Sequence, residues 1–511
     1  MGEYKVLITT SGIGSRLGNL TNFTNKSLVR IGEKPAISHV IEHYPPNTKF
    51  VITLGHFGNL VKDFLLLAYP KINFTFVDVK NYKGKGSSLG HSMLQAEPYL
   101  QCPFIFHASD TILTNQDSVP PPTYNWCAGS YKEDTSQYRT LNLNGEDILY
   151  INEKGELNYD YPYIGLCGIK DYLLFWKKLK TLPNKHNLSD VHVVNSMLEE
   201  VQFKYKKINT WLDIGNTTEL NKTRKHFNTD VEVLDKLNES IYFFEDYVIK
   251  FFSDKKTNLN RVKRASKLYP LVPKIIDHTN NFYKYEKAKG NLFSKSVNLK
   301  SFSSLLEWAK SLLWVSNSKD NFNIDCYKFY IEKTLNRIDL YLKDNPDPLN
   351  INGENLPPIK ELINNLEVDI LCDGIPSQFH GDFILDNIIE TEDNFKLIDW
   401  RQDFAGDLET GDIYYDLAKL NHNLTVNHNI IDRGLYNASP HNCYILCNST
   451  LVQCKKVLEE FIRNNNFDYQ KVEILTSLIW LNMSPLHEYP FNKFLFNFGK
   501  YSLYKNLKNV S

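Results

Sequence analysis

The 511-residue sequence lacks several features that would assign it to a particular class of protein. No window approaches eighteen consecutive apolar residues, so the sequence predicts no transmembrane helix. A net charge of −1 at pH 7 gives no reason to expect a nucleic acid or an anionic membrane as a partner. The chain does not open with a basic segment and a long apolar stretch, and we therefore expect a cytoplasmic protein with no membrane insertion.

Paired cysteines are also missing. Of the eight cysteines, only Cys443, Cys447 and Cys454 cluster, and they do so without the CxxC spacing typical of a zinc site. Reduced, mostly buried thiols are the simpler interpretation. The sequence has no internal repeat, no low-complexity tract and no obvious flexible linker, so nothing in it suggests a repeat protein or a disordered one.

The chain contains enough apolar residues for more than one hydrophobic core. Its length is well past the size at which a single core usually stops growing, and 42% of its residues are hydrophobic. Two or three domains are therefore expected. A change of pattern near residue 228 places the predicted boundary there, with domains at 1–228 and 229–511.

The first 110 residues alternate between strand-like and helix-like runs. Such a βαβα order predicts an α/β fold with a mostly parallel sheet covered on both faces, and ligands bind such sheets at the carboxyl ends of the strands. The predicted strands are YKVLITT, KFVITLG, NFTFVDV and PFIFHASD, and the predicted helices are PAISHVIEHY, NLVKDFLLLAY and SSLGHSMLQAEPYL.

A glycine-rich turn, TTSGIGSRL, follows the first predicted strand. Gly12 and Gly14 would let the backbone approach a phosphate closely, while Ser15 and Arg16 add a hydroxyl and a fixed positive charge. Lys26 follows ten residues after Arg16 in TNKSLVRIGEK. A glycine-rich turn alone is weak evidence for phosphate binding, but together with Arg16 and Lys26 it indicates a nucleotide site.

The two runs together resemble the GxGTRL and PK(S/P)L signature of the sugar-phosphate and phosphocholine nucleotidyltransferases. Asn25 stands where that family has proline. The resemblance covers residues 3 to 228 and implies a Rossmann-like nucleotidyltransferase domain that uses Mg²⁺, with Arg16 and Lys26 as catalytic cations. It implies further roles for Gly86 and Ser87 at the nucleotide, for Asp110 and Asp213 as metal ligands, and for Glu153, Lys154 and Gly165 at the substrate.

These residue types suit the chemistry that the resemblance implies. When a substrate phosphate attacks the α-phosphorus of a nucleoside triphosphate, anions are brought together, and a divalent metal and fixed cations must neutralise the charge that develops. Asp110 and Asp213 fit the first role, and Arg16 and Lys26 fit the second. The second nucleotide substrate could be CTP, UTP or another triphosphate.

A different motif, FHGDFILDNIIETEDNFKLIDW, lies in the second half. Asp382 precedes Asn387 by five residues, and Asp399 follows twelve residues later. Kinase-like phosphotransferases use one aspartate for the attacking hydroxyl, and an asparagine and a second aspartate for magnesium. The interval between Asn387 and Asp399 suits a β-hairpin that places both metal ligands on one wall.

This motif and GDIYYDLAKL resemble the aminoglycoside phosphotransferase and choline kinase superfamily. The resemblance implies a two-lobed α+β domain that binds ATP and Mg²⁺, with a small lobe at about 229–290 and a helical large lobe at about 291–511. It also implies that Lys250 binds ATP phosphates and that the backbone around Glu286 meets adenine. Asp412 and Asp416 are expected to be structural, fixing the loop and capping the next helix.

Two family features are missing from the second half. No glycine-rich loop precedes Lys250, and the predicted helix NLNRVKRASKL offers no glutamate to pair with it. A catalytically inactive, ligand-binding domain is therefore one alternative. The sequence also leaves the identity of the acceptor undecided, since it offers candidate binding residues both for a choline-type cation and for a sugar. The aromatic candidates are Trp400, Trp480, Tyr489 and Phe491, and the polar candidates lie in SPLHEYPFNKF.

Two activities on one chain make sense if they are consecutive. The second half would phosphorylate a small hydroxyl compound with ATP, and the first would join that phosphate to a nucleoside monophosphate. The product would be an activated sugar or alcohol for a surface glycan or lipid, with choline kinase and cytidylyltransferase activities giving CDP-choline as the alternative. The expected partners are small molecules, and an oligomer is possible.

Overall fold

The computed structural model describes residues 3–114, 117–183, 188–227 and 236–508. Their contacts divide the chain into two compact units. The first unit comprises the residues up to Lys255 together with Ile276–Tyr285, and the second comprises Lys256–Ile275 together with the residues from Glu286 onward. Across these described ranges, no helix combines the length and the apolar character needed to span a bilayer.

A nine-stranded sheet forms the centre of the first unit. All four strands predicted for the first 110 residues are present and pair in parallel. The later strands pair mainly antiparallel, although Lys204–Lys207 pairs in parallel with Trp126–Gly129, so the sheet is mixed rather than mostly parallel. One reason is that Thr140–Asn144 and Asp147–Asn152 are joined by a two-residue turn, which makes them antiparallel. The strand order is Asn73–Asp78, Lys49–Leu54, Lys5–Thr9, Phe104–Ala108, Tyr161–Ile169, Trp126–Gly129, Lys204–Lys207, Asp147–Asn152 and Thr140–Asn144.

Both faces of the central parallel strands of this sheet are buried, as the βαβα pattern predicts. On the strand Lys5–Thr9, Val6 and Ile8 belong to one core cluster and Leu7 belongs to the other, since successive side chains of a strand point to opposite faces. The helices of the unit are Ala36–Glu42, Gly58–Ala68, Leu89–Ala96, Tyr172–Thr181, Asp190–Met197 and Thr217–His226.

A smaller four-stranded sheet also belongs to the first unit by its contacts. It contains the predicted hairpin, in which Glu239–Phe243 pairs antiparallel with Tyr247–Phe252. Tyr242 joins the core cluster of the large sheet, and its hydroxyl donates to the main-chain oxygen of Leu28 at 2.7 Å. The two sheets therefore share one core. Residue 228 lies outside the described residues, so the predicted domain boundary stays a prediction.

The second unit is mainly helical, as the sequence after Ser301 predicts. Its short strands include the hairpin Ile388–Glu390 and Phe395–Leu397, and two π-helical turns lie at Ala309–Leu313 and Lys328–Glu332. The helices are Lys255–Leu268, Phe293–Ser296, Leu299–Trp308, Phe322–Tyr327, Lys333–Leu342, Ile359–Asn364, Val368–Cys372, Ile413–Thr425, His428–Asp432, Ser449–Asn464, Tyr469–Met483 and Phe491–Lys508.

Candidate active sites

Asp110 and Asp213, the predicted metal ligands of the first unit, lie side by side. Asp110 follows the strand Phe104–Ala108, and the next strand, Thr111–Leu113, pairs antiparallel with Trp211–Asp213. This register sets Asp213 opposite Thr111, and the main-chain nitrogen of Ile214 donates to the oxygen of Asp110 at 3.2 Å. The pairing brings together two carboxylates that are about one hundred residues apart in the sequence.

The two carboxylates differ in their charge environments. Burial would raise the pKa of Asp110, but the Lys26 ammonium, 2.9 Å from Oδ2, and the nearby Arg16 outweigh it and lower that pKa. Burial and the charge of Asp110 both raise the pKa of Asp213. The site thus holds a pair of acids that repel each other, with two of the predicted cations beside them.

The pair fits a magnesium ion. Mg²⁺ is commonly held by one or two carboxylates together with substrate phosphates, whereas structural zinc needs a full set of protein ligands. Within the described ranges, no group of three or more histidine, cysteine or acidic side chains is placed to hold a metal. The repulsion between Asp110 and Asp213 is what a divalent cation would relieve.

Sequence reasoning missed a residue that holds Asp213. The Tyr138 hydroxyl donates to Oδ2 of Asp213 at 2.6 Å, and the main-chain nitrogen of Gly215 donates to Oδ1 at 2.9 Å. The Tyr138 ring packs edge-on against Trp211, with a centroid distance of 4.8 Å. Tyr138 lies 75 residues before Asp213, in a stretch with no regular periodicity, so its role follows from the tertiary structure alone.

The glycine-rich turn packs directly against the segment that carries Lys26. Gly14 has a φ of +70° and begins the short helix Ser15–Thr21, a conformation that favours glycine. A β-carbon at Gly14 would lie 2.9 Å from Cβ of Lys26. A β-carbon at Gly12 would meet no atom within 4 Å, so the space beside Gly12 is open to a ligand.

Asn25, the departure from the family's proline, anchors this segment. Its buried side chain donates to the main-chain oxygens of Thr10 at 2.8 Å and His56 at 2.6 Å. Its Oδ1 accepts from the nitrogen and the hydroxyl of Ser27 at 2.9 and 2.7 Å, which caps the short helix Lys26–Leu28. One side chain therefore joins the ends of two parallel strands to Lys26.

The second predicted nucleotide loop, which contains Gly84 and Gly86, is connected to the first glycine-rich turn by a hydrogen bond between two serines. Gly84 and Gly86 have φ values of +80° and +87°, and the Ser87 hydroxyl donates to the oxygen of Gly84 at 2.7 Å. The helix Leu89–Ala96 follows, and its Ser92 hydroxyl lies 2.8 Å from the hydroxyl of Ser11. The two glycine loops are thereby held beside each other at the carboxyl ends of the parallel strands, where the fold class predicts a ligand.

The predicted substrate residues lie in the same part of the unit. Glu153 pairs with Arg139 at 3.1 Å and with His192 at 3.2 Å. Burial lowers the pKa of Lys154, and the positive charges of Arg16 and Arg139 lower it further, so the three cations stand close together. Arg139 is a second residue that the sequence did not single out.

Gly165 lies at an irregularity in the strand Tyr161–Ile169, where the register with Trp126–Gly129 shifts. Its φ is +73°, and a β-carbon there would lie 2.9 Å from Cβ of Ala108. The glycine lets this strand approach the end of Phe104–Ala108, two residues before Asp110. Larger residues would be excluded at this position.

In the second unit, Asp382, Asn387 and Asp399 are brought together. Nδ2 of Asn387 donates to Oδ2 of Asp382 at 3.0 Å, and the Lys419 ammonium lies 2.7 Å from Oδ1. Burial alone would raise the pKa of Asp382, but Lys419 outweighs it and lowers that pKa. The carboxylate is therefore ionised and held at both oxygens. Lys419 was not singled out from the sequence.

The predicted hairpin positions Asp399. Ile388 pairs with Leu397, and the nitrogen of Ile398 donates to the oxygen of Asn387 at 2.9 Å. Asp399 has a φ of +56° and forms an ion pair with Arg261, and its charge opposes the lowering of the pKa of Asp382. Because Nδ2 of Asn387 is bonded to Asp382, its Oδ1 is the atom left for a metal. An amide oxygen and a carboxylate suit Mg²⁺.

Asp412 and Asp416 are structural, as expected. Asp412 accepts from the nitrogens of Ile375 at 3.0 Å and Tyr414 at 3.1 Å, capping the helix Ile413–Thr425. Asp416 accepts from the nitrogens of His380 and Gly381, each at 2.7 Å. Burial raises the pKa of Asp416 to about 6.

The helix Lys255–Leu268 contains no glutamate that could pair with Lys250 and instead carries two arginines, Arg261 and Arg264. Arg264 is buried and donates to the main-chain oxygens of Phe379 at 2.5 Å and Leu408 at 3.0 Å. Burial lowers the pKa of Arg264 to about 9. The helix thus supports the loop that carries Asp382 through bonds from Arg264 to main-chain oxygens, and no sequence pattern predicted these contacts.

The structure does not test the predicted roles of Lys250 at the ATP phosphates and of Glu286 at adenine, so both roles stay predictions. Lys250 is buried on the strand Tyr247–Phe252, opposite Ile241. Glu286 is exposed at the end of Phe282–Glu286, and its nitrogen donates to the oxygen of Lys274 at 3.0 Å.

The four aromatic candidates do not form one cation box. Trp480 and Phe491 belong to a buried cluster. Trp400 is fully buried, and its Nε1 donates to the oxygen of Arg261 at 2.8 Å. Tyr489 is 74% exposed. Three of the four are core residues, which weakens the case for a choline-type acceptor.

No family model matches the chain, and no curated protein matches it. Solved structures match its N-terminal half. An inositol-1-phosphate CTP transferase from T. maritima is 15% identical and covers 46% of this chain and 99% of its own, with a TM-score of 0.37. A UDP-glucose pyrophosphorylase is 16% identical and covers 44% and 98%, with a TM-score of 0.39. A CTP:phosphocholine cytidylyltransferase from Streptococcus pneumoniae is 16% identical and covers 44% and 100%, with a TM-score of 0.37.

Proposed function

We propose that the first unit transfers a nucleoside monophosphate from a nucleoside triphosphate to the phosphate of a small molecule. The observation that carries this proposal is the Asp110 and Asp213 pair, flanked by Lys26 and Arg16 at the ends of parallel strands. An oxygen of the acceptor phosphate forms a bond to the α-phosphorus. The bond from that phosphorus to the α–β bridging oxygen breaks, and pyrophosphate leaves.

The cations of the site have distinct tasks in this reaction. Lys26 is fixed by Asn25 and Asp110, and Arg16 lies in the first turn of the helix Ser15–Thr21, so both charges are held before substrate arrives. Lys154 and Arg139 stand on the side of Glu153, where an acceptor phosphate would need positive charge. Preformed charge of this kind lowers the barrier to bringing two anions together.

A second function, ATP-dependent phosphorylation of a hydroxyl, is favoured for the second unit by Asp382 held between Lys419 and Asn387. The acceptor oxygen bonds to the γ-phosphorus, and the bond to the β–γ bridging oxygen breaks to release ADP. Asp382 orients the hydroxyl and receives its proton. When bound, Mg²⁺ at Asp110 and Asp213 and at Asn387 and Asp399 would neutralise phosphate charge in the two reactions.

The two proposed reactions share an intermediate, because the phosphate made by the second unit is what the first unit consumes. The proposed enzyme is therefore bifunctional and gives a nucleoside-diphosphate-activated sugar or alcohol for a surface glycan or lipid. Phosphorylation of choline followed by cytidylyl transfer, giving CDP-choline, is the alternative. A further alternative is an active first unit with a second unit that only binds a ligand.

The test follows both products by mass spectrometry. Purified full-length protein is given ATP, Mg²⁺, inorganic pyrophosphatase and a panel of sugars and amino alcohols, with CTP, UTP, GTP or dTTP added separately. Asp382→Asn should abolish the phosphorylated intermediate yet still form the nucleotide product when acceptor phosphate is supplied. Asp110→Asn should accumulate the intermediate. Losses of about 10²–10⁴-fold are expected for the proton acceptor.

Asp393→Asn is the matched control, since it removes an exposed charge from the turn of the same hairpin. It should retain both activities. Nucleotide product without any ATP-dependent phosphorylation would favour the ligand-binding alternative. If phosphorylated acceptors form but none is a substrate for nucleotidyl transfer, the consecutive scheme is wrong.

A further inference from the structure

A π-helical turn lies beside the proposed phosphotransfer site. The helix Phe322–Tyr327 passes into the π turn Lys328–Glu332 and continues as Lys333–Leu342. Such turns are rare and occur frequently at functional sites, because they redirect the side chains that follow. Here the residues that follow are cationic. Lys333 begins the new segment, and Arg337 lies one helical turn further along the same face.

Lys333 and Arg401 lie against the aromatic rings of Phe329 and Tyr415. The Lys333 ammonium stands 4.0 Å from the ring centroid of Phe329 and 6.0 Å from that of Tyr415. The Arg401 guanidinium lies 4.9 Å from the same Phe329 ring. Phe329 and Tyr415 are both buried. Three segments that are distant in the sequence therefore contribute to one cluster: Phe329 and Lys333 come from the first, Arg401 from the second and Tyr415 from the third.

Within the described ranges, no ion pair neutralises the charge of this cluster, because no carboxylate oxygen lies within 4 Å of the side-chain nitrogens of Lys333, Arg337 or Arg401. Burial lowers the pKa of Lys333, and Arg401, Arg337 and Lys419 lower it further, while Asp403 acts weakly in the opposite direction. Gathering cations without counter-ions is unfavourable in the free protein, which is typical of a site that awaits an anion.

The cluster adjoins Asp382. Lys419, whose charge acts on Lys333, is the residue that pairs with Asp382 at 2.7 Å. The main-chain nitrogen of Arg401 donates to the oxygen of His380 at 3.0 Å, which fixes Arg401 to the loop that carries Asp382. A molecule whose hydroxyl meets Asp382 would have the rest of its body within reach of these cations.

We propose that the acceptor phosphorylated by the second unit carries an anionic group, a carboxylate or a phosphate, that is bound by Lys333, Arg337 and Arg401. This inference rests on the proposed kinase function and names its substrate class. The same cluster would repel a choline-type cation, because uncompensated like charges at short range are destabilising. The acceptor is then an anionic hydroxyl compound, such as a sugar acid or a sugar phosphate.

The experiment uses hexoses that differ only at C6. Glucose, glucuronate and glucose 6-phosphate present a hydroxyl, a carboxylate and a phosphate at the same carbon, and choline is the cationic probe. Binding of each probe, and of inorganic phosphate, to the full-length protein holding Mg²⁺ and a non-hydrolysable ATP analogue is measured by calorimetry. The anionic probes should bind at least about tenfold more tightly than glucose, since hydrogen bonds to charged groups are worth more than neutral ones.

Lys333→Met tests the assigned cation, and Lys343→Met is the matched control, since Lys343 is an exposed lysine that directly follows the last residue of the same helix. Lys333→Met should abolish the preference for the anionic probes and raise the KM of any anionic acceptor about tenfold or more. The KM of ATP should not change. Lys343→Met should leave all of these values as in the wild type.

Three results would overturn the inference. They are equal binding of all probes, no binding of any anionic probe, and a Lys333→Met protein in which the KM of ATP rises instead of that of the acceptor. Phosphorylation of choline or glucose with an unchanged KM in Lys333→Met would also reject the anionic class while leaving the kinase function standing. Phosphorylation of no acceptor, with anions still bound by Lys333, would reject the kinase function alone.

Discussion

The side-chain amide of Asn25 donates to the main-chain oxygen of Thr10 at 2.8 Å and so joins the end of the first strand to the segment that carries Lys26. The same amide reaches the oxygen of His56, and its carbonyl caps the helix Lys26–Leu28. Asparagine at this position therefore does not weaken the assignment of Lys26. It supplies the local order on which the position of that lysine depends.

Asn25→Ala should destabilise the first unit and slow nucleotidyl transfer. The substitution leaves two buried main-chain oxygens and the Ser27 donors without partners, and the expected cost is about 3 kcal/mol. Hydrogen-exchange mass spectrometry of peptides from residues 3–60 measures the loss of protection, and the rate of nucleotide product formation should fall about tenfold. Phosphorylation of the acceptor should be unaffected.

Asn22→Ala and Asn25→Pro are the controls for that prediction. Asn22 is exposed, and its side-chain amide donates to Oδ1 of Asn19 over a long distance of 3.3 Å, so the loss of this side chain should change neither hydrogen exchange nor rate. Asn25 has a φ of −78°, which proline can adopt, so Asn25→Pro should recover some stability relative to alanine but not the activity. Full activity in Asn25→Pro would mean that the side-chain contacts do not matter.

Tyr138→Phe should weaken the response of the first unit to magnesium. The hydroxyl donates to Oδ2 of Asp213 and lowers the pKa of a carboxylate that burial and Asp110 both raise. Without it the pKa of Asp213 rises further, and a metal must displace a proton more often. The Mg²⁺ concentration for half-maximal nucleotidyl transfer should rise about tenfold.

Tyr124→Phe, which removes the hydroxyl of an exposed tyrosine from the same unit, should leave the magnesium titration unchanged. If Tyr138→Phe instead lowered the maximal rate at saturating Mg²⁺ with an unchanged midpoint, the hydroxyl would act on the substrate and not through Asp213.

Much of this architecture could be predicted because it is local in the sequence. Apolar runs of five or six residues predicted the parallel strands, and the interval between Asn387 and Asp399 predicted a hairpin that the structure contains. One motif also places Asp382 near Asn387, five residues later. In these cases a short segment carries both the residue and the backbone geometry that positions it. The shared role of Asp110 and Asp213 was implied by the family resemblance, because their approach depends on strand pairing across about one hundred residues.

The remaining parts depend on contacts that no periodicity encodes. Tyr138 reaches Asp213, Arg264 reaches Phe379, and Arg401 reaches Phe329 across 75, 115 and 72 residues, respectively. The local sequence around each of these tyrosine and arginine residues contains no motif that indicates its contact. The shared core of the two sheets escaped prediction for the same reason, since Tyr242 gives no local sign that its hydroxyl will bond to Leu28.

Lys419→Met should shift the pH dependence of phosphorylation. Lys419 lowers the pKa of Asp382, whereas burial and Asp399 raise it. Removing the ammonium raises that pKa, so a larger fraction of Asp382 is protonated at a given acidic pH. The acid limb of the kcat/KM profile should therefore move to higher pH, and the rate at neutral pH should fall about tenfold.

Lys455→Met is the control, because Lys455 pairs with Glu473 at 3.1 Å in the same unit. Its profile should coincide with that of the wild type. An unshifted acid limb in Lys419→Met, with only a lower rate, would show that Lys419 contributes to packing and does not set the ionisation of Asp382.

Lys333→Met should make the ligand-free protein more stable at neutral pH. The pKa of Lys333 in the folded state lies well below its ordinary value, so between that folded pKa and the unfolded value near 10.5 the unfolded chain binds more protons than the folded one. In that window the free energy of unfolding of the wild type rises with pH. The contribution of Lys333 is therefore unfavourable near pH 7 and becomes less so toward pH 10.

Methionine removes the charge while keeping contact with the rings of Phe329 and Tyr415. Urea unfolding of the two proteins at several pH values between 7 and 10 should show a stability difference that is largest at pH 7 and declines as the pH rises. A cation that served only to hold the fold together would give the reverse, a Lys333→Met protein less stable than the wild type at pH 7, and the anion site would then lose its physical basis.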